Sequence, residues 1–234
     1  MNDKNGIKRV HFSTLSSTQD YAKEKRSEGE PLIITANVQT GGKGTKGRSF
    51  SSKEGGMYLS KLSFYENYLA KNAFQIMANA AVAVCETLRF YHLAPVIKWA
   101  NDIYVGGKNI CGVLIENTLS GNCISSSIVG VGLNVNNAIQ GELAEIATSM
   151  SAEMGKSFSV EEVTERLIEE LLKERTIEEY RTYLGFIGEQ VALILANECV
   201  PATLLSVSDT GDLVVEIDGD KRYFSSAEVS VRIC

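Results

Sequence analysis

The sequence contains no C-x-x-C pair. Its five cysteines, Cys85, Cys111, Cys123, Cys199 and Cys234, are scattered, and the two histidines, His11 and His92, lie far from them. Zinc ligation and disulfide frameworks both need partners at short, patterned spacings, so neither is indicated. No apolar run approaches the ~20 residues needed to cross a bilayer, and the opening MNDKNGIKRV holds no apolar stretch. A cytoplasmic protein with no membrane partner is expected. Basic excess is missing too: 23 Lys plus Arg stand against 29 Asp plus Glu, a net charge of −6. A general grip on nucleic acid needs clustered cations that displace counterions, so no nucleic-acid partner is expected.

What is present is the composition of a globular chain, 234 residues of which 44% are hydrophobic, and disorder is excluded on that ground. Apolar periodicity reads as an α+β protein. IKRVHFST forms a strand, and Ser17 with Asp20 opens a helix over TQDYAKEKRSEG, stopped by Gly29 and Pro31. PLIITANV and MYLSKLSFY are strands, and the Ala-rich stretch from Leu69 to His92 is a core-packing helix. A meander of antiparallel strands follows through VIKWAND, IYVGGKNICGVLIE and CISSSIVGVGLNVN, with turns at Gly106-Gly107 and Gly121-Asn122. Two helices are expected over ELAEIATSMSAEM and SVEEVTERLIEELLKERTIEEYRTYL, the second with an acidic, solvated stripe through Glu161, Glu162, Glu165, Glu169 and Glu170. After Gly188 the pattern changes to short strands, EQVALILAN, VPATLLSVS, LVVEIDG and KRYFSS, which suggest a small β-barrel docked on the first domain. The expected division is 1–186 and 187–234, near Phe186.

The segment from Gly42 to Ser49, GKGTKGRS, satisfies two phosphate-loop patterns at once, G-x-G-x-x-G and, with Arg for Lys, G-x-x-x-x-G-K-[ST]. Both patterns require a helix directly after the glycines. Here SFSSKEGGMYLS follows, so neither applies. A plain surface loop is one reading. The other is an anion-receiving segment: backbone N–H groups freed by glycine, set among Lys43, Lys46 and Arg48, that closes over a negative ligand and excludes water.

Taken in order, SSTQDYAKE, VQTGGKGTKGRSF, KWANDIYVGGKNICGVLIE, GVGLNV and EVSVR closely resemble the biotin protein ligases, from Ser16 to Arg232. The resemblance implies a catalytic domain with a mixed or antiparallel sheet, like the class II synthetases, followed by the small barrel. It also implies a ligase without the N-terminal DNA-binding domain of longer members. The implied reaction uses ATP and biotin as substrates, with Mg2+. The biotin carboxylate attacks the α-phosphate, giving biotinyl-adenylate, and a lysine of a biotin carboxyl carrier protein then takes the biotinyl group. A homodimer is left open.

By the resemblance, Ser17, Thr18, Gln19 and Gln39 contact biotin, and Lys43, Gly44 and Thr45 close over biotin and adenylate. Lys43, Trp99, Asn101 and Asn134 fall on the ATP side, while Arg48, Lys108 and Asn109 fall where the chemistry occurs. No protein metal ligand is implied. Simpler readings stay open: Ser17 can cap a helix, Gln39 can end a strand and Asn134 can turn the chain. Two departures bear on mechanism. The family loop G-R-G-R-x-G-R-x-W is here GKGTKGRSF, with Thr45 for Arg and Phe50 for Trp, and the family's Lys-Lys pair is Lys108-Asn109. Lys46 and Lys108 lie one position from the missing charges, and Lys108 reaches across only if its hairpin carries a bulge, since a one-residue shift in a strand reverses the side chain. Two alternatives follow: a homologue that binds biotin or its adenylate with weakened chemistry, and a lipoate or octanoate ligase, against which KWAND speaks.

Overall fold

A computed structural model describes residues 6–195 and 198–233. The chain forms β1 (Lys8–Leu15), α1 (Thr18–Lys25), β2 (Leu32–Gln39), β3 (Met57–Leu69), α2 (Ala73–Phe90), β4 (Val96–Lys98), β5 (Asp102–Val105), β6 (Lys108–Ser120) and β7 (Cys123–Leu133). Four helices follow, α3 (Leu143–Ile146), α4 (Met150–Met154), α5 (Val160–Leu171) and α6 (Ile177–Tyr183). The chain then ends in β8 (Gln190–Ile194), β9 (Cys199–Val207), β10 (Leu213–Ile217), β11 (Asp220–Phe224) and β12 (Ser230–Ile233).

The α+β expectation holds. Seven strands form a mixed sheet in the order β1-β2-β3-β7-β6-β5-β4. Only β1 and β2 run parallel, with α1 as their crossover; the other pairs are antiparallel. Strand alternation sorts side chains to two faces. Ile33, Leu59, Val113 and Val131 pack with α2, α5 and α6 in the main core. On the opposite face Leu32, Ile34, Leu62 and Ile128 pack under Ala22 of α1. Beyond α1 this second face carries Gly112, Gly130 and Gly132 in place of large residues, and the sheet there lies open to a cleft.

Local signals explain where expected helices are shorter. β3 runs on to Leu69, paired with Cys123, so α2 begins only at Ala73. The first of the two expected helices is cut into α3 and α4 at Ala147, whose extended backbone bridges Asn109 before Ser149 caps α4. The long acidic helix is cut where Thr176 and Glu179 form a capping box that starts α6 anew. The acidic stripe is also not wholly solvated. Glu170 is 1% exposed and lies against Arg166, Arg175 and Lys173, an arrangement that holds together the α5–α6 corner.

The expected C-terminal barrel is an open five-stranded antiparallel sheet, ordered β11-β10-β9-β8-β12. Closure needs the outermost strands to pair with each other. Here β12 pairs with β8 and β11 with β10, leaving both short strands at opposite edges. Residues 196 and 197 of the expected strand EQVALILAN fall outside the described residues, as does Cys234. The inner face of this sheet, including Val191, Leu204 and Val215, continues the main core. Trp99 fixes the contact: its indole N–H donates to the Gly211 carbonyl at 2.9 Å. Gly211 is pressed on Phe74, whose ring packs edge-on against Tyr180 with 5.1 Å between centroids. Among the described residues no helix is long and apolar enough to cross a membrane.

Candidate active site

The cleft over the glycine-bearing face has a volume of about 1000 Å³. Its floor follows from close approach. A Cβ on Gly132 would stand 2.7 Å from Phe50 Cε1, and one on Gly130 would stand 2.6 Å from Gln19 Oε1. Any larger residue would expel the aromatic ring or the amide that line the cavity. Phe50, at the end of the glycine-rich loop, thus lies as an apolar slab across the middle of the floor.

One end of the cleft is an amide network at the start of α1. Ser17 caps the helix, its hydroxyl accepting from the Asp20 N–H at 3.3 Å, which sets Thr18 and Gln19 over the sheet. Gln39 Oε1 accepts from the Thr18 N–H at 2.8 Å and from its hydroxyl at 3.1 Å, while Gln39 Nε2 donates to Ser52 Oγ at 2.8 Å. Ser60 Oγ lies 2.9 Å from Thr18 Oγ1 and 3.1 Å from Gln19 Oε1. Thr18, Gln19 and Ser60 are all at most 3% exposed. Buried polar groups of this kind are fixed in orientation by their partners.

The other end is cationic. Arg48 and Arg232 lie near Lys98 there, Lys43 is paired with Asp20 at the α1 end, and with Lys46 and Lys53 they make six cations lining the cleft, against the two carboxylates Asp102 and Glu145. Gathering six cations in a chain of net charge −6 makes a receptor for a polyanion. Lys98 and Asp102 face each other in register across a tight hairpin. Burial pushes the Lys98 ammonium below the ordinary lysine range; Asp102 opposes the shift and Arg48 and Arg232 add to it. Burial likewise raises the Asp102 carboxyl, with Lys98 and Arg48 holding it down. Lys98 Nζ sits 3.4 Å from the Tyr104 hydroxyl and 5.4 Å from its ring centroid.

The glycine-rich loop folds back on itself through bridges between Gln39 and Ser52 and between Lys43 and Ser49. Its cations are held by protein groups: Lys43 by Asp20 at 2.6 Å, Lys46 by the Val229 carbonyl at 3.2 Å and Ser230 Oγ at 2.9 Å, and Arg48 by Thr45 Oγ1 at 2.7 Å. Gly44 and Thr45 also line the cavity.

The structure brings Ser17, Thr18, Gln19, Gln39, Lys43, Gly44, Thr45, Arg48, Asn101, Asn109 and Asn134 to this one cleft. Asn101 Nδ2 donates to the Val113 carbonyl at 3.0 Å, and Asn134 Nδ2 to the Thr148 carbonyl at 3.0 Å, so both tie neighbouring segments to the wall. Trp99 does not line the cleft; it faces the C-terminal sheet. The β5–β6 hairpin carries a bulge, with Ile103 opposite Cys111 but Tyr104 opposite Asn109. Asn109 and Gly112 therefore both line the cavity while Ile110 and Cys111 are buried. Lys108 does not line it, because its ammonium donates to the Ala144 carbonyl at 2.6 Å. Lys98, Asp102, Tyr104 and Arg232 escaped sequence reasoning as site residues. Reading KWAND as a three-residue turn would have paired Lys98 with Asp102; nothing local brings in Arg232, which comes from β12.

The model of the biotin/lipoate A/B protein ligase family matches residues 11–134. The chain is 30% identical to the bifunctional ligase/repressor BirA of Bacillus subtilis, over 93% of this chain and 72% of that protein. It is 25% identical to BirA of Escherichia coli over the same shares. The structure of the biotin protein ligase from Aquifex aeolicus in complex with biotin and ATP superposes with a TM-score of 0.79 at 27% identity, covering 97% of this chain and 99% of that one. With the family model spanning more than half its length and a relative of this identity covered over 72%, the chain belongs to the biotin/lipoate A/B protein ligase family.

Proposed function

We propose that the chain is a biotin protein ligase: it condenses biotin with ATP to biotinyl-adenylate and transfers the biotinyl group to a lysine of a biotin carboxyl carrier protein. The observation that carries this reading is the two-ended cleft, amide-lined at α1 and cationic at the β4–β5 hairpin. Biotin offers a neutral ureido ring with N–H and C=O groups at one end and a carboxylate at the other. Thr18, Gln19 and Gln39 suit the ring, the Phe50 slab suits the aliphatic chain, and the cationic end suits the triphosphate.

In the first step a carboxylate oxygen attacks the α-phosphorus and the bond to pyrophosphate breaks. In the second, the carrier amine attacks the acyl carbon and AMP leaves. Neither step needs a side-chain nucleophile. The barrier lies in bringing an anion onto a polyanion, so preorganised positive charge and alignment supply the rate. Lys98, which lines the same cleft as Asn109, takes up charge in place of the family's missing second lysine; Lys43 and Arg48 leave their present partners for the phosphates. The closed loop shields the mixed anhydride from water.

Among the described residues no group of three His, Cys, Asp or Glu could hold a metal. Mg2+ would arrive on the phosphates, and Asp102, which lines the cleft beside Lys98, would be the side chain to hold it. When bound, the ion would add charge stabilisation at the phosphoryl oxygens. We further assign residues 1–186 to substrate binding and 187–234 to a module that docks through Trp99 and adds Arg232, and we place the protein in the cytoplasm with a carrier protein as partner and a homodimer open.

Incubation with ATP, Mg2+, biotin and a carboxyl-carrier domain should give biotinylated carrier by mass. Biotin binding without transfer would favour the weakened homologue, a reading that Thr45 and Asn109 specifically motivate. Transfer of lipoate or octanoate in place of biotin would favour the third.

A further inference from the structure

Glu116 lies on β6, beyond the cleft lining, yet it is bonded to a residue inside. Gln19 Nε2 donates to Glu116 Oε2 at 2.7 Å and, more weakly, to the Ile128 carbonyl at 3.4 Å. Both partners can only accept, so both amide hydrogens of Gln19 are spent away from the cavity. That fixes which way the amide faces. Gln19 Oε1 shares the Ser60 hydroxyl, at 3.1 Å, with Thr18 Oγ1 at 2.9 Å, and is the atom lying over Gly130. Its second lone pair is left for the cleft. Glu116 is itself held from the far side by Lys23, whose Nζ is 2.7 Å from Glu116 Oε1.

We infer that Glu116, braced by Lys23, is a positioning residue that locks the Gln19 amide with its oxygen toward the cavity. It thereby makes this wall an acceptor for an N–H donor on the acyl substrate. The inference rests on the biotin reading, in which the ureido N–H groups are those donors. A neutral amide at 116 could donate as well as accept, and Gln19 would then be free to turn its NH2 toward the cleft and oppose an N–H donor. An acceptor-only carboxylate at 116 forbids that flip, so the selectivity lies in the charge of a residue the substrate never touches.

The test is steady-state pyrophosphate release by the full-length chain, with thermal melting alongside. Glu116→Gln should raise the KM for biotin about tenfold, the scale of one hydrogen bond turned from attractive to opposed, with kcat, the KM for ATP and the melting temperature little changed. Lys23→Met, which removes only the brace, should raise it about twofold to threefold. Gln19→Ala should raise the biotin KM as well, and combining it with Glu116→Gln should add nothing further, because the two act through one contact. An unchanged biotin KM in Glu116→Gln, equal effects on biotin and ATP, or additive losses in the double variant would each overturn the inference. If Glu116→Gln does not fold, Lys23→Met decides alone, and a biotin KM equal to that of the native protein overturns it. Failure of the underlying biotin reading looks different: the native protein itself would release no pyrophosphate on addition of biotin.

Discussion

Replacing Trp99 by Phe separates two roles for this residue. The family resemblance assigns it to the ATP side, whereas the structure buries it to 6% exposure with its indole N–H on the Gly211 carbonyl at 2.9 Å. Phe keeps a ring in the site but loses the donor and the five-membered part of the indole. A buried carbonyl left without its partner costs about 1–3 kcal/mol, and the small void adds about 1 kcal/mol. The sum is about 2–4 kcal/mol, which for a chain of this length lowers the melting temperature by about 4–16 °C. The carbonyl belongs to the β9–β10 turn, so the loss falls on docking of the C-terminal sheet. Thermal unfolding by circular dichroism measures the first effect, and the KM for ATP at 25 °C checks the second, which should stay within about twofold because no ligand contact is removed. An unchanged melting temperature with a KM for ATP raised about tenfold or more would refute this placement of Trp99 and restore the nucleotide contact.

Lys98→Met should lower kcat/KM for ATP by about 10- to 100-fold, the worth of one charge-assisted contact. Because burial depresses Lys98, it sheds its proton as pH rises before reaching the ordinary lysine value of 10.5; the KM for ATP should therefore climb in the alkaline range, and Lys98→Arg, which stays charged, should flatten that climb. A pH profile of the two proteins checks the sign. Gly132→Ala places a methyl 2.7 Å from the Phe50 ring and should cost about 1–3 kcal/mol of stability and most of the biotin affinity, the stability being regained on adding Phe50→Ala, as differential scanning calorimetry would show. Glu170→Gln leaves Arg166, Lys173 and Arg175 without their buried carboxylate and should destabilise by about 3 kcal/mol in urea melts with ligand affinities unaltered.

Much of the secondary structure and the basic, glycine-rich loop were legible in the sequence, because period-two strands, caps and glycine-rich turns are local signals. Ser17 capping α1, the Gly106-Gly107 hairpin and the clustering of Lys43, Lys46 and Arg48 all depend on neighbours a few positions apart. Tertiary structure decided what depends on distant partners. The β5–β6 bulge set Asn109 into the cleft and sent Lys108 to Ala144; a register shift of one residue arises from pairing between strands, and neither strand alone encodes it. Trp99 became a docking residue because Gly211, 112 positions away, presents a carbonyl to it. The C-terminal sheet is open, with β11 and β12 at opposite edges, an outcome set by how the strands sit in space and not by any local signal. Glu116 and Arg232 acquired their places only through the sheet, since strands lay side by side residues that the chain keeps far apart, and the polarity of the cleft is the sum of those distant neighbours.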